Sequence, residues 1–125
     1  MQFHSAPRTL FDKYGGAPTV TRIVRDFYKR VLRRPNLRRY FEGVDQENLI
    51  RHQVAFVSLA MGKMPSEYVG RNMRDAHFGL GITTASFEMV VELLCDAMAS
   101  AGVEPQDITA IAATVNRFKN DVTER

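Results

Sequence analysis

The stretch PTVTRIVRDFYKRVLRR, residues 18–34, decides how the rest of the chain is read. Within it Val20, Ile23, Val24, Phe27, Tyr28, Val31 and Leu32 recur at steps of three and four. That spacing predicts one continuous helical stripe. Arg22, Arg25 and Lys29 fall on the opposite face. Gly15, Gly16 and Pro18 lie at its start, so a short earlier helix over about 8–14 must end there. Pro35 and Asn36 stop the stripe at its far end.

Working outward, residues 37–43 read as a short link carrying Tyr40 and Phe41. Asp45 can cap a helix over about 46–61, because its carboxylate accepts from early backbone N–H groups. The stripe of that helix is Leu49, His52, Gln53, Phe56, Val57 and Ala60, and two polar residues interrupt it. Residues 63–70 read as a loop, with Pro65 and Gly70. A short helix over 71–79 holds His77 and is broken by Gly79 and Gly81. Residues 84–101 form an amphipathic helix with Phe87, Val90, Val91, Leu94, Ala97 and Met98 on one face. Pro105 suits a first helical position, and Ile108, Ile111, Ala112, Val115, Phe118 and Val122 give the last stripe. No two-residue alternation competes with this pattern. The expected architecture is all-α, with four long helices and two short ones. The irregular 62–83 region takes about a sixth of the chain, and segments of that kind usually serve a site.

Composition narrows the classes. At 125 residues the expectation is a single domain over 1–125. Cys95 is the only cysteine, which excludes an intramolecular disulfide and any CxxC motif. It sits beside an apolar helix face and reads as inert core. The start, MQFHSAPRTL, has no basic segment followed by an apolar run, and no apolar stretch approaches a membrane span. The expectation is a cytoplasmic chain without a membrane partner. Residues 1–64 hold 12 Lys+Arg against 5 Asp+Glu, and residues 65–125 hold 5 against 9. Such asymmetry raises the question of an anionic partner. Arg22, Arg25, Lys29, Arg30, Arg33, Arg34, Arg38 and Arg39 concentrate it within 18 residues. Such a run is usually a solvated helix face. Nucleic-acid binding is the sharper alternative, but amphipathicity accounts for much of the run.

Only three histidines are present, His4, His52 and His77. His77 lies four residues after Met73 and three before Leu80, which turns it inward. It is either a core histidine bonded to a carbonyl or an axial ligand to haem iron. Tyr28 and Gln53 place hydrogen-bonding groups inside apolar stripes. Either each is satisfied internally, or both converge on a ligand in a dry site, where phenol and amide can stabilise partial negative charge. Phe41 and Phe56 are its candidate walls. His52, about 100° from Gln53 on the helix, reads as a rim residue, a second iron ligand or a partner of a haem propionate. Arg71 is either solvated or forked onto a propionate.

In this order the residues resemble the truncated, two-over-two haemoglobins of group I. The resemblance rests on Tyr14-Gly15-Gly16, on Asp26-Phe27-Tyr28-Lys29-Arg30-Val31-Leu32 and on Leu37-Arg38-Arg39-Tyr40-Phe41. It continues through Leu49-Ile50-Arg51-His52-Gln53-Val54-Ala55-Phe56, Tyr68-Val69-Gly70-Arg71-Asn72-Met73, Ala76-His77 and Ala101-Gly102-Val103. It covers about residues 9 to 122.

The resemblance implies a two-over-two helical sandwich around haem b (iron protoporphyrin IX). It implies His77 as proximal ligand, and Tyr28, Leu49 and Gln53 on the distal side. Phe41, Phe56, Met73 and Phe87 would hold the macrocycle, with Tyr68 and Arg71 near its propionates. It further implies binding of O2, NO and CO, and NO dioxygenation or peroxidase-like chemistry served by a reductase. The protein would act as a monomer, without nucleic acid. The alternative is a six-coordinate His52–Fe–His77 centre for electron transfer or sensing. Three departures stand out. Gly62-Lys63 replaces a glycine pair, so that turn is expected to differ. Val57 stands where some members carry a tunnel-gating phenylalanine. The final helix has no histidine for a covalent haem link.

Overall fold

The computed structural model describes residues 9–63 and 81–123. Over these residues the chain is helical and contains no strand. In order come α1 (Leu10–Lys13), α2 (Ala17–Leu32), α3 (Pro35–Arg38), a 3-10 turn at Arg39–Phe41, and α4 (Gln46–Ala60). Then come α5 (Thr84–Ser100), α6 (Pro105–Asn116) and α7 (Lys119–Val122).

Local chemistry sets the boundaries. Thr9 caps α1 through the Asp12 N–H at 3.0 Å, and Thr83 caps α5 through the Ser86 N–H at 3.0 Å. Asp45 caps α4 by accepting from the N–H groups of Glu47 and Asn48, as its place in the sequence predicts. At the far end of α4 the Gly62 N–H donates to Leu59 O and the Lys63 N–H to Ser58 O. Two terminal carbonyls are thereby satisfied around a left-handed residue, Gly62 at φ +98°. One glycine suffices for this turn. The Lys63 ammonium rests over the Phe11 ring, 5.1 Å from its centroid, and the Phe11 N–H donates to Met61 O.

The stripe quoted first is the centre of the molecule. Val20, Ile23, Val24 and Val31 have no exposed surface, and Phe27 and Tyr28 are buried beside them. Burying each such side chain fully contributes about 1.5–3 kcal/mol before chain entropy is counted. This face of α2 packs against α4 and α5, while α6 packs against α5 and α4. The pairs α2/α4 and α5/α6 form the two layers of the sandwich, and Leu37 and Ile111 are fully buried in the same core.

Two segments differ from the sequence expectation. Residues 35–41 form α3 and a 3-10 turn rather than a plain link. Pro35 stops α2 but starts α3, because proline is tolerated where an N–H would have no helical partner. The last stripe is divided: α6 ends at Asn116, and α7 resumes at Lys119. At that corner the Arg117 and Phe118 N–H groups bond three residues back, tightening the last turn. The expected loop beyond Lys63 and the short helix over 71–79 lie outside the described residues.

Candidate functional site

Tyr28 lies in the second half of α2, on its core face, with 6% of its surface exposed. The ring of Phe41, at the end of the 3-10 turn, meets the Tyr28 ring edge-on, with centroids 5.8 Å apart and planes at 84°. Such a T-shaped pair is favourable and fixes ring orientation. Phe41 itself is half-buried, so its other side faces away from the core.

Across from α2, helix α4 places Leu49, Gln53 and Phe56 at steps of four and three, on one face. All three are half-buried. The Gln53 Oε1 atom is buried and has no hydrogen-bond partner. An acceptor withdrawn from water without a donor costs about 1–3 kcal/mol. Buried polar atoms are otherwise almost always paired, so this one asks for an explanation. His52, one residue earlier, is exposed at the edge of the same face.

Phe56 does not pair with Tyr28 or Phe41. Its ring meets that of Phe118 edge-on, with centroids 5.1 Å apart and planes at 78°. Phe118 sits in the corner between α6 and α7. The sequence marks it as a core residue of the last stripe; its contact with α4 is a tertiary pairing that no local pattern announces. Phe87 is buried in the core on α5.

Tyr40, beside Phe41, fastens this end of the molecule to the start of α5. Its hydroxyl lies 3.4 Å from both Gly81 O and Ser86 Oγ. The Ser86 hydroxyl and the Arg39 guanidinium hold its phenol below the usual range. The Arg39 guanidinium also lies over the Tyr40 ring at 4.8 Å.

The structure therefore brings Tyr28 and Phe41 together and sets Leu49, Gln53 and Phe56 on one face of the facing helix, with His52 at the rim. Tyr68, Arg71, Met73 and His77 lie outside the described residues. Among the described residues no cluster of three His, Cys, Asp or Glu could hold a metal ion, and no helix is long and apolar enough to cross a membrane. Half-buried apolar side chains suit a flat apolar group, and an amide whose oxygen no internal donor fixes is free to turn its N–H2 group toward a small ligand that comes with it. The residues present fit haem in this respect.

Comparison with known proteins agrees with this geometry. Residues 9–124 match the family model described as bacterial-like globin. The chain is 37% identical to the group 1 truncated haemoglobin of Synechocystis over 111 residues, 86% of this chain and 88% of that one. It is 34% identical to that of Mycolicibacterium paratuberculosis over 109 residues, 87% of this chain and 79% of the relative. Among solved structures, the truncated haemoglobin of Tetrahymena pyriformis in its Fe(III) form superposes with a TM-score of 0.84 at 26% identity, covering 94% of this chain and all of that one. The 2/2 haemoglobin of Synechococcus, in the cyanomet state with covalently attached haem, superposes at 0.80 with 29% identity, covering 94% and 99%.

Proposed function

The chain belongs to the bacterial-like globins, in the group 1 truncated, two-over-two haemoglobin branch, and from that premise we propose that it holds haem b and binds O2 and other diatomic gases, NO and CO. The single observation that carries this reading is the unpaired, buried Gln53 Oε1, which shares a face of α4 with Leu49 and Phe56. With no internal donor fixing its oxygen, this amide is free to turn its N–H2 group toward something that enters the site.

When bound, the haem supplies an iron that takes a diatomic ligand and exchanges one electron. The remaining work falls to this chain. His77 would supply the nitrogen that holds the iron. Tyr28 directs its phenol and Gln53 its amide at the ligand, where N–H and O–H donors stabilise partial negative charge. Phe41, Leu49, Phe56, Met73 and Phe87 exclude water, which strengthens those hydrogen bonds. Tyr68 and Arg71 would pair with the propionates. NO dioxygenation is the activity we favour: the bound haem would supply the one electron that conversion of O2 and NO to nitrate requires, a reductase would restore it, and Tyr28 and Gln53 would hold the ligand. We read the chain as a single-domain cytoplasmic monomer; the single domain is supported by one core that draws on every long helix.

His52 supports a second reading, because it lies at the rim of the face that carries Gln53. There it is either a propionate partner or a sixth iron ligand beside His77. The visible spectrum of the ferrous, ligand-free protein tests both readings. A Soret band is expected on purification with adequate haem, and its absence overturns the haem reading. A broad high-spin spectrum is expected if His52 stays at the rim. Sharp low-spin bands that disappear in His52→Ala would establish the six-coordinate form instead.

A further inference from the structure

The 3-10 turn at Arg39–Phe41 is too short to fix its own rotation. It has no side-chain cap, and the chain leaves it at once through an extended Glu42. Successive side chains of a 3-10 turn stand about 120° apart, so Tyr40 and Phe41 leave it in different directions. Phe41 meets α2, through the edge of the Tyr28 ring. Tyr40 meets the start of α5, where its hydroxyl lies 3.4 Å from Gly81 O and from Ser86 Oγ. The turn is thus held from two sides, by an aromatic contact on one and by hydrogen bonds on the other.

The Tyr40 hydroxyl is fully used there. It donates to Gly81 O and accepts from the Ser86 hydroxyl and from the Arg39 guanidinium, the latter at 3.3 Å. That fills its one donor and both lone pairs. Ser86 is itself buried, and its backbone N–H is taken by the Thr83 cap, which leaves its hydroxyl for Tyr40. These contacts are long for hydrogen bonds, so their loss should shift the turn rather than unfold it. What they join matters more than their strength. Tyr40 precedes Phe41 and Ser86 precedes Phe87, so one polar contact sets two of the aromatic walls of the site relative to each other.

We propose that Tyr40 is a positioning residue of the site: its contact with Ser86 sets the Phe41 wall against α5 and, through the Phe41 ring, holds the Tyr28 phenol in one orientation. The proposal rests on the haem reading above for what that phenol faces. The Tyr40 hydroxyl takes no part in the chemistry; it decides where another hydroxyl points. Without it the turn has a second placement available, and the Tyr28 phenol is aimed at the ligand in only one of the two.

Infrared spectra of the ferrous holoprotein with CO as the probe test this. Tyr40→Phe keeps the ring under Arg39 and removes only the hydroxyl, and Tyr28→Phe marks where the C–O stretching band lies without a distal phenol. The parent is expected to show one band, and Tyr40→Phe and Ser86→Ala each to gain a second component at the Tyr28→Phe position. In both, O2 dissociation should quicken about two- to tenfold, the span of one ordinary hydrogen bond. Tyr14→Phe is the control: it removes a hydroxyl that joins α1 to α6, so its melting point should fall while its C–O band stays single. The ring carbon–proton NMR signals of Tyr28 supply a readout that needs no haem. They should shift or broaden in Tyr40→Phe and Ser86→Ala and stay in place in Tyr14→Phe. A single C–O band or unmoved Tyr28 signals in Tyr40→Phe would overturn the proposal. So would a change that Ser86→Ala does not share, or one that Tyr14→Phe shares, which would mark a general loosening. A preparation without a Soret band, or a Tyr28→Phe band at the parent position, removes the reading the proposal rests on, while the Tyr28 ring signals still decide whether Tyr40 orients Tyr28.

Discussion

Phe41 holds Tyr28 edge-on, ring to ring at 5.8 Å, and so ties the orientation of a buried phenol on α2 to a half-exposed residue of the following turn. Tyr28→Phe keeps this pair and removes only the hydroxyl. O2 dissociation from the ferrous protein is then expected to quicken about 10- to 100-fold, the range for losing a hydrogen bond to a charged group. Phe41→Leu keeps the hydroxyl but frees the ring, and should give a smaller change in the same direction. Laser-flash or stopped-flow ligand replacement measures both, and an unchanged rate in Tyr28→Phe would remove the phenol from the distal role.

Gln53 gives a prediction of opposite sign in two states. Without ligand its buried Oε1 is unpaired, so Gln53→Leu should raise the thermal midpoint of the haem-free protein, by the equivalent of about 1 kcal/mol. The same substitution should weaken retention of O2 by the loaded protein. A variant less stable without haem would mean that the amide has an internal role.

The Phe56–Phe118 contact joins the site helix to the corner between α6 and α7. Aromatic pairs of this geometry contribute about 0.5–1.5 kcal/mol beyond the area they bury. Denaturant melts of Phe56→Leu, Phe118→Leu and the double variant should therefore show a coupling of that size. Strict additivity would show that the two rings are neighbours without interaction.

The long helices are legible in the sequence because stripes and the one cap read there agree: Asp45 accepts from the first N–H groups of α4, whereas the Thr83 cap of α5 is seen only in the structure. Helix α3 is less legible, because Pro35 reads equally as a stop and as a start. The division at Asn116–Lys119 is not legible at all, since no glycine or proline marks it; it brings Phe118 to Phe56. In the site, Tyr28 and Gln53 stand out as polar residues in apolar stripes, a pattern equally consistent with internal pairing and with a ligand; the unpaired Gln53 Oε1 is visible only in the structure. The places of Tyr68, Arg71, Met73 and His77 rest on family resemblance, because one chain's spacing does not say what a single inward histidine holds.

One cluster should make the stability of the fold depend on acid. Lys13 Nζ lies 2.7 Å from Asp107 Oδ2 and 2.9 Å from Glu104 Oε1, while the Tyr14 hydroxyl donates to Asp107 and accepts from the Glu104 N–H. Lys13 and Tyr14 together hold the Asp107 carboxyl below its ordinary value of 3.8. A depressed carboxylate contributes stability above its unfolded pKa, and loses it as the pH falls through the lower folded value. Lys13, raised above its ordinary 10.5 by Asp107 and then Glu104, contributes below that value and is lost only at strongly alkaline pH. The contribution is therefore flat between about pH 5 and 10 and declines as the pH falls below about 4. Thermal melts should show Asp107→Asn less stable than the parent at pH 7, with a gap that narrows as the pH falls below the ordinary carboxylate value. A constant gap at all pH values would contradict this.

That cluster also bears on how the chain reaches its structure. Tyr14 and Asp107 are 93 residues apart in sequence, and closing so long a loop carries an entropy cost that local helices do not. A contact of that reach forms late, after α2, α4 and α5 have built the core it clasps. Its strength therefore falls mainly on the escape rate from the native state and little on the rate of arrival. The Lys13–Tyr14 corner is a latch: it sets how long the empty globin persists before haem reaches it.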